Sequence, residues 1–246
     1  MLYLIISLFV WIFVAVTSVL FFPVALIIFL ITFPFDKRGV ILHRFSCFWG
    51  SLYVWINPLW KVLIQGKENI RKNEPMVFVS NHQSLLDIIL MYNLFTHFKW
   101  VSKDSLFRIP FVGWNMSLNN YIKLKRKDPK SHLSLMKQSE KHLQRGSSIF
   151  LFPEGTRSPD GEIHRFKDGA FLIAKKNRVG VQPVLIEGAY QAIPKKGFIM
   201  DHRQRIIIKV LPAVQAEEVK ALKVKEISSQ VQTDLKNGLK ELRTGS

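Results

Sequence analysis

Two patterns of apolar and polar positions divide the chain. Residues 1–35 contain no charged side chain, and this apolar stretch is well beyond the roughly 20 residues that span a bilayer as a helix. From residue 60 onward, short apolar runs alternate with segments whose apolar positions recur at helical spacing. We therefore predict a membrane anchor over residues 1–58, built of transmembrane or in-plane helices, and one folded domain over residues 59–246.

The alternation after residue 60 predicts an α/β domain, with a mostly buried sheet flanked by helices. Strands are predicted for the apolar runs WKVLIQG, PMVFVS, KWVSK, YIKLK, SSIFLFP, VQPVLIEG and RIIIKVLPAV. Helices are predicted near residues 85–95, 129–145 and 168–177. The segment from residue 216 to the end interleaves charged residues with Val, Leu and Ile, which is typical of an amphipathic surface helix.

The arrangement of the apolar N-terminal stretch is left open by the sequence. It lacks the basic start, short apolar core and cleavage site of a signal peptide, so we expect it to be retained. Pro23 removes a backbone donor and bends a helix, which allows one tilted span, one bent helix or two short helices in one leaflet. Lys37, Arg38 and Arg44 follow directly and place the rest of the chain on the cytoplasmic face by the positive-inside rule.

Residues 40–57 form a second apolar and aromatic segment with few charges. Because Trp49, Trp55 and Trp60 suit the headgroup level of a bilayer, an interfacial helix is the first interpretation. The alternative is an ordinary amphipathic helix packed on the domain.

The charge balance indicates a partner that carries phosphate. The formal net charge of +17 arises entirely after residue 35. A field of this sign attracts nucleic acid, anionic lipid, a phosphorylated cofactor or an acidic carrier protein, and the anchor favours lipid over nucleic acid. Cys47 is the single cysteine, which excludes an intrachain disulfide and a cysteine-based zinc cluster.

The first candidate site follows the predicted strand PMVFVS and reads Asn81-His82-Gln83-Ser84-Leu85-Leu86-Asp87. A neutral imidazole at His82 can accept the proton of a hydroxyl as it attacks a carbonyl, with Asp87 fixing the ring tautomer. On a regular helix, two side chains five residues apart point about 140° away from each other. The pair therefore requires His82 in the turn before the helix, where Asn81 and Ser84 suit capping positions. Taken alone, this spacing fits a structural histidine at the start of a helix better than a catalytic one.

The second candidate site is the heptapeptide FPEGTRS, residues 152–158, which follows the apolar run SSIFLF. Gly155 permits close approach of the backbone to a ligand, and Arg157 offers a planar fork for a phosphate. Glu154 should repel an anion, so we expect it to orient Arg157 or to accept from a substrate hydroxyl. The alternative is a surface turn with a solvated Glu and Arg pair.

Together, NHxSxxD, FPEGTRS and their separation closely resemble the glycerolipid acyltransferases, and among them the 1-acylglycerol-3-phosphate acyltransferases. Two weaker blocks, YIKLKR and VQPVLI, stand in the family's order, and the likeness runs from about residue 60 to 190. The resemblance implies transfer of a fatty acyl group from an acyl thioester to the free sn-2 hydroxyl of 1-acylglycerol-3-phosphate, giving phosphatidic acid. It implies coenzyme A or acyl carrier protein as the carrier of the donor acyl group, lysophosphatidic acid as the acceptor, the bilayer as a partner, and no cofactor.

The resemblance also implies roles for particular residues. His82 and Asp87 are expected to be catalytic, and substrate binding is expected of Ser84, Arg126, Glu154, Gly155, Thr156 and Arg157. A structural or acyl-donor role is implied around Pro183. The sequence departs from the family at Asn120, where Gly is usual, and Asn tolerates the left-handed backbone of such a turn.

The same residues are compatible with other functions. The acceptor could be glycerol-3-phosphate or another lysophospholipid, or the protein could exchange acyl chains between lipids. A membrane-tethered basic module without catalysis is the alternative from a different class. No HExxH, GxSxG or Walker-type loop is present, which weighs against a metal site, a serine hydrolase and a nucleoside-triphosphate enzyme.

Overall fold

A computed structural model describes residues 1–71, 74–193, 199–200 and 202–245. Within them, seven strands form one sheet that is covered by helices on both faces, which confirms the α/β prediction. Each strand overlaps a predicted apolar run, with β3 and β7 each starting one residue before theirs: β1 Trp60–Gln65, β2 Val77–Ser80, β3 Phe98–Lys103, β4 Ile122–Leu124, β5 Ser148–Leu151, β6 Val181–Glu187 and β7 Gln204–Val210.

The strand order in the sheet is β1-β7-β6-β2-β5-β3-β4. Strands β6, β2, β5, β3 and β4 are mutually parallel, whereas β7 runs antiparallel to β6 and parallel to β1. The parallel strands therefore end at one edge of the sheet, called here the carboxyl edge, and begin at the opposite amino edge. Loops that follow β2 and β5 are neighbours, although about 70 residues separate them in the sequence.

Eight α-helices surround this sheet within the described residues. They are α1 Leu2–Thr32, α2 Val40–Trp55, α3 Leu86–Tyr92, α4 Val112–Leu118, α5 Pro129–Gln144, α6 Gly169–Asn177, α7 Ala216–Ala221 and α8 Val224–Thr244, with short 3₁₀ helices at Lys67–Asn69 and Asp104–Arg108. Helices α1 to α4 contribute to the hydrophobic clusters on one face, and α5 to α8 to the cluster on the other.

The predicted helices near residues 85–95, 129–145 and 168–177 are confirmed as α3, α5 and α6. The C-terminal segment forms two helices instead of one, because Leu222 and Lys223 adopt extended backbone between α7 and α8. Helix α4 was not predicted. Its seven residues include Gly113 and Asn115, which lower the helical signal of a short segment, and it forms because Met116 reaches the core.

Helix α1 is long and apolar enough to cross a membrane, and it is packed on the domain along its length. Ser7 accepts a hydrogen bond from the Met200 backbone N–H at 2.7 Å near one end, and Thr17 bonds to the Tyr53 hydroxyl at 3.1 Å near the middle. Just beyond the other end, Arg38 donates to the Gly146 carbonyl. The opposite face of α1 exposes apolar side chains from Leu2 to Ile31.

Helix α2 packs between α1 and α3. These contacts agree with the alternative prediction, an amphipathic helix packed on the domain. The expectation that three tryptophans mark the headgroup level is wrong for two of them. Trp49 and Trp60 are buried in hydrophobic clusters, and Trp55 is 57% exposed. The tertiary contacts of α1 and β1, which sequence periodicity does not reveal, decide this difference.

The turn after β6 depends on Gly188. Its φ of +82° is in the left-handed region, and a Cβ there would lie 2.1 Å from the Arg205 carbonyl oxygen. Gly188→Ala should therefore lower the free energy of unfolding by at least about 2 kcal/mol, seen as a lower Tm in detergent.

Gly169→Ala is the matched control, because a Cβ at this first position of α6 meets nothing within 4 Å. Ala favours a helix over Gly, so Tm should stay unchanged or rise. Equal Tm values for the two variants would contradict the assigned role of Gly188.

Candidate active site

Two loops meet at the carboxyl edge of the sheet. The loop after β2 carries residues 81–87, and the loop after the adjacent β5 carries residues 152–158. A backbone hydrogen bond of 2.7 Å from the Ser158 N–H to the His82 carbonyl joins them. The two sequence motifs therefore form one structural unit, as their resemblance to a single family implied.

His82 lies in the turn before α3, as its pairing with Asp87 requires. Its Nδ1 is 2.8 Å from Asp87 Oδ2, and Asp87 is completely buried. Nε2 makes no hydrogen bond within the described part of the chain, and 8% of the residue is exposed. The imidazole is therefore held at one nitrogen and free at the other.

The contacts of Asp87 fix which nitrogen carries the proton. Oδ2 also accepts the backbone N–H groups of Gln83 at 2.6 Å and Ser84 at 2.8 Å, so it acts as an acceptor only. Burial raises the pKa of Asp87, and the hydrogen bonds from His82, Ser84 and Gln83 oppose that rise. With an acceptor at Nδ1, the neutral ring carries its proton on Nδ1 and leaves the Nε2 lone pair available.

Glu154 accepts hydrogen bonds from two backbone N–H groups. Oε1 accepts the backbone N–H of His82 at 3.0 Å, and Oε2 accepts that of His164 at 3.3 Å. Burial raises the pKa of Glu154, while these two hydrogen bonds act in the opposite direction. Glu154 is 5% exposed and forms no hydrogen bond or ion pair with Arg157 among the described residues, so it acts as a positioning residue that holds the His82 backbone. The predicted contact of Glu154 with the substrate stays a prediction.

Other residues of the first loop also differ from expectation. Asn81 does not cap α3, since its side-chain amide exchanges two hydrogen bonds with the Ile186 backbone at 2.8 and 2.9 Å. Gln83 binds the Ala189 N–H, the Gly161 carbonyl and Glu187. Ser84 is buried, and its hydroxyl accepts from the Leu86 N–H at 3.4 Å. The predicted substrate contact of Ser84 stays a prediction beside this local role.

The positive groups of the site occupy the same edge. Arg157 is half-buried and has no carboxylate partner among the described residues, and Thr156 beside it is exposed. Gly155 has a φ of +72°, and a Cβ there would lie 2.8 Å from Lys167 Nζ. Arg126 is exposed just beyond β4, two strands from β5, or about 10 Å along the edge.

Aromatic packing joins His82 to an apolar cavity. The His82 ring stacks on Phe152, with centroids 4.1 Å apart and planes at 11°, and Phe152 stacks in turn on Trp100. Trp100 also lines a cavity of about 270 Å³ between the sheet and the helices α1 to α4. The same cavity is lined by Ile89 of α3 and by Leu85, which directly precedes α3. The rings of Phe152 and Trp100 thus connect the imidazole to the apolar cavity.

Comparison with known proteins decides the family. A family model described as Acyltransferase matches residues 61–187, about half of the chain. The chain belongs to the acyltransferase family. A chloroplastic 1-acyl-sn-glycerol-3-phosphate acyltransferase of Arabidopsis thaliana is 40% identical over 178 residues, covering 71% of this chain and 49% of that protein. The chain thus spans about half the length of that curated relative.

Two further comparisons agree. The 1-acyl-sn-glycerol-3-phosphate acyltransferase of Saccharomyces cerevisiae is 30% identical over 186 residues, 74% of this chain and 60% of that protein. The crystal structure of the 1-acyl-sn-glycerophosphate (LPA) acyltransferase PlsC from Thermotoga maritima superposes with a TM-score of 0.80 at 27% identity. That match covers 98% of this chain and 95% of the other.

The structure adds one cationic residue, Lys103, that the sequence did not single out. Lys103 ends β3, between β5 and β4, and is exposed at the carboxyl edge. The only sequence signal for it was its place at the end of the run KWVSK.

Pro183 lies within β6 opposite Val79, and its carbonyl accepts the Leu211 N–H at 3.1 Å, which is a structural position. Asn120 has a φ of +53°, which confirms the left-handed turn.

Among the described residues, no three His, Cys, Asp or Glu side chains come together in a way that could hold a metal ion. The side chains of the site can supply proton transfer at His82 and binding of an anion by Lys and Arg.

Replacement of Glu154 tests its positioning role. In Glu154→Gln, one of the two backbone N–H groups must face an amide NH₂, which displaces the His82 loop. We expect kcat to fall by about a hundredfold while KM for the acceptor changes little. The control Glu140→Gln removes a carboxylate that pairs with Lys176 on the surface, and it should keep wild-type kcat. Wild-type kcat in Glu154→Gln would refute this role.

Proposed function

We propose that the protein transfers a fatty acyl group from an acyl thioester to the free sn-2 hydroxyl of 1-acylglycerol-3-phosphate, forming phosphatidic acid. The observation that carries this proposal is the hydrogen bond between His82 and Asp87, which leaves Nε2 free beside the loop of Arg157. The names of the Arabidopsis, yeast and Thermotoga proteins support the same reaction.

The chemistry requires one base and no covalent enzyme intermediate. Nε2 of His82 removes the proton of the acceptor hydroxyl as its oxygen attacks the thioester carbonyl carbon. Asp87 stabilises the imidazolium that results. When the tetrahedral intermediate collapses, the carbon–sulfur bond breaks, and the imidazolium returns its proton to the departing thiolate. The base is thus neutral again after each turnover.

Arg157 is proposed to bind the acceptor phosphate, together with Arg126 and Lys103 along the same edge. Arg157 is free to do so because no carboxylate among the described residues neutralises it, and a guanidinium can bind a phosphate through two parallel hydrogen bonds. Gly155 and Thr156, which precede it, allow the backbone to approach the ligand. The acyl chains are proposed to enter the apolar cavity next to Trp100, which suits them by its lining.

The acyl donor is proposed to be acyl-coenzyme A or acyl carrier protein, used as a co-substrate with no further cofactor. Both carriers are acidic, and the net charge of +17 attracts them equally. An assay of both donors with the purified enzyme distinguishes them.

The orientation of α1 follows from its contacts with the domain. The domain contacts α1 near its start, through Met200, and near its middle, through Tyr53, and Gly146 binds Arg38 just after its end. If α1 crossed the bilayer upright, these three parts of the domain would have to lie at three different depths in the membrane. Burial of the charged domain in hydrocarbon would be very costly. We therefore infer that α1 lies along one leaflet, with its exposed apolar face in the lipid and the domain on the cytoplasmic side.

Labelling tests this orientation. A single cysteine, inserted after Met1 or placed at the exposed Lys37 in a Cys47→Ser background, should react with a membrane-impermeant maleimide from the same side of sealed inverted vesicles in both cases. Reaction of the two positions from opposite sides would show a transmembrane span and contradict the in-plane arrangement.

His82→Ala tests the base. Loss of the imidazole should lower turnover of acyl-coenzyme A and lysophosphatidic acid by about three orders of magnitude or more, because positioned proton transfer is lost. The Tm and the attachment to membranes should remain, since Nδ1 makes the only described hydrogen bond of the ring. Acyl transfer near the wild-type rate would remove His82 from the mechanism.

Arg157→Ala tests the phosphate contact. KM for lysophosphatidic acid should rise by about tenfold to a hundredfold, with a smaller change in KM for the donor. Arg178→Ala removes the same charge at the end of α6, on the amino edge of the sheet, and serves as the control. An unchanged dependence on lysophosphatidic acid in Arg157→Ala would exclude this arginine from the acceptor site.

A further inference from the structure

A second concentration of positive charge lies at the amino edge of the sheet. A cavity of about 380 Å³, called here the basic pocket, is lined by Lys37, Arg38, Lys99, Lys123, Lys141 and Arg145. Ser117, Asn120 and Tyr121 contribute polar groups, and none of the residues that line it carries a carboxylate. Six cationic side chains around one cavity constitute a site for an anion.

The basic pocket is separate from the site at His82. Lys99 lies near the start of β3, and Lys141 and Arg145 lie at the end of α5, which leads into the start of β5. His82 and Arg157 follow the opposite ends of parallel strands. The length of a strand, about 13 Å for four residues, therefore separates the two sites, and the acceptor held at His82 cannot fill both with one phosphate.

Lys99 gives the basic pocket a buried cation. The residue is 2% exposed, and its ammonium group donates to the Asn119 carbonyl at 2.8 Å, its one described hydrogen bond. Burial lowers the pKa of Lys99 to about 8, with a further contribution from Arg38, while Asp36 acts in the opposite direction. Because Asp36 accepts the Ile41 N–H at 2.7 Å, it is not a dedicated partner. A bound anion would compensate this buried charge.

The surroundings of the basic pocket indicate where the anion comes from. Lys37 and Arg38 directly follow the end of α1, whose last turn and the residues after it expose Leu30, Ile31, Phe33 and Phe35. Phe35 is 66% exposed within two residues of Lys37. An apolar surface that borders a basic surface in this way is typical of the headgroup level of a bilayer.

We propose that the basic pocket binds the phosphate of an anionic phospholipid headgroup, as a second lipid contact besides the acceptor site. The in-plane arrangement of α1 would bring both ends of this helix to the membrane surface, with the catalytic loops near one end and the basic pocket near the other. A headgroup held there fixes the rotation of the domain on the bilayer. The proposal depends on membrane attachment and not on acyl transfer.

Vesicle binding tests this proposal. The 246-residue protein is incubated with phosphatidylcholine vesicles and with vesicles that also contain phosphatidylglycerol, in the absence of donor and acceptor. The double variant Lys141→Gln/Arg145→Gln changes two exposed side chains of the pocket and should still fold. We expect its affinity for the anionic vesicles to fall roughly ten- to thirtyfold, with little change on phosphatidylcholine alone.

The matched control is Lys220→Gln/Lys225→Gln, which removes the same charge from α7 and α8 on the face of the sheet away from α1. It should bind like the wild type. Equal losses in the two double variants would show a general charge effect and would overturn the proposal. Retained affinity of Lys141→Gln/Arg145→Gln for the anionic vesicles would overturn it as well.

Two further measurements separate the sources of the anion. Saturable binding of inorganic phosphate to the wild type in detergent, lost in Lys141→Gln/Arg145→Gln and at least as tight as binding of the lipid headgroup in the vesicles, would assign the pocket to the free anion. A KM for acyl-coenzyme A that rises in Lys141→Gln/Arg145→Gln, measured in detergent, would assign it to the donor. The lipid proposal expects neither result, and either one would overturn it. Neither result would affect the proposal of acyl transfer at His82.

Discussion

The hydrogen bond from His82 Nδ1 to Asp87 Oδ2 is the interaction on which the account of this acyltransferase depends. It is 2.8 Å long and completely buried at the carboxylate. Two backbone N–H groups converge on the same oxygen, so the turn before α3 closes around Asp87. One carboxylate therefore shapes the turn, selects the tautomer of His82 and leaves Nε2 free to accept a proton. Glu154, from the neighbouring loop, holds the backbone of the same histidine.

The sheet makes this arrangement possible. Because β2 and β5 are adjacent and parallel, two loops that are distant in sequence meet at one edge, and the cations that follow β5, β3 and β4 lie along it. The helices α1 to α4 cover one face and enclose an apolar cavity that reaches Trp100 and, through Phe152, the His82 ring. The site thus combines a base and cations with an apolar cavity at the edge of the domain, on the face that α1 covers.

Much of this could be predicted from the sequence. All seven strands overlap apolar runs, since buried strands need continuous apolar residues, and the resemblance to the family implied the pairing of His82 with Asp87. The role of Glu154 could not be predicted, because its partners are backbone groups of residues 82 and 164. Trp49 and Trp60 were misplaced for a related reason: a tryptophan suits a core and a headgroup region equally, and only tertiary contacts decide. Helix α4 was missed since core contacts, and not its own residues, stabilise it.

The most direct test of the account is a single-turnover measurement on Asp87→Asn, with enzyme in excess over labelled acyl-coenzyme A and saturating lysophosphatidic acid. An asparagine keeps the volume of the carboxyl group but has no charge to orient Nδ1–H and to stabilise the imidazolium. The account predicts that the rate of acyl transfer falls by about two to four orders of magnitude, while the affinity for lysophosphatidic acid is unchanged. A rate within a few fold of the wild type would contradict it.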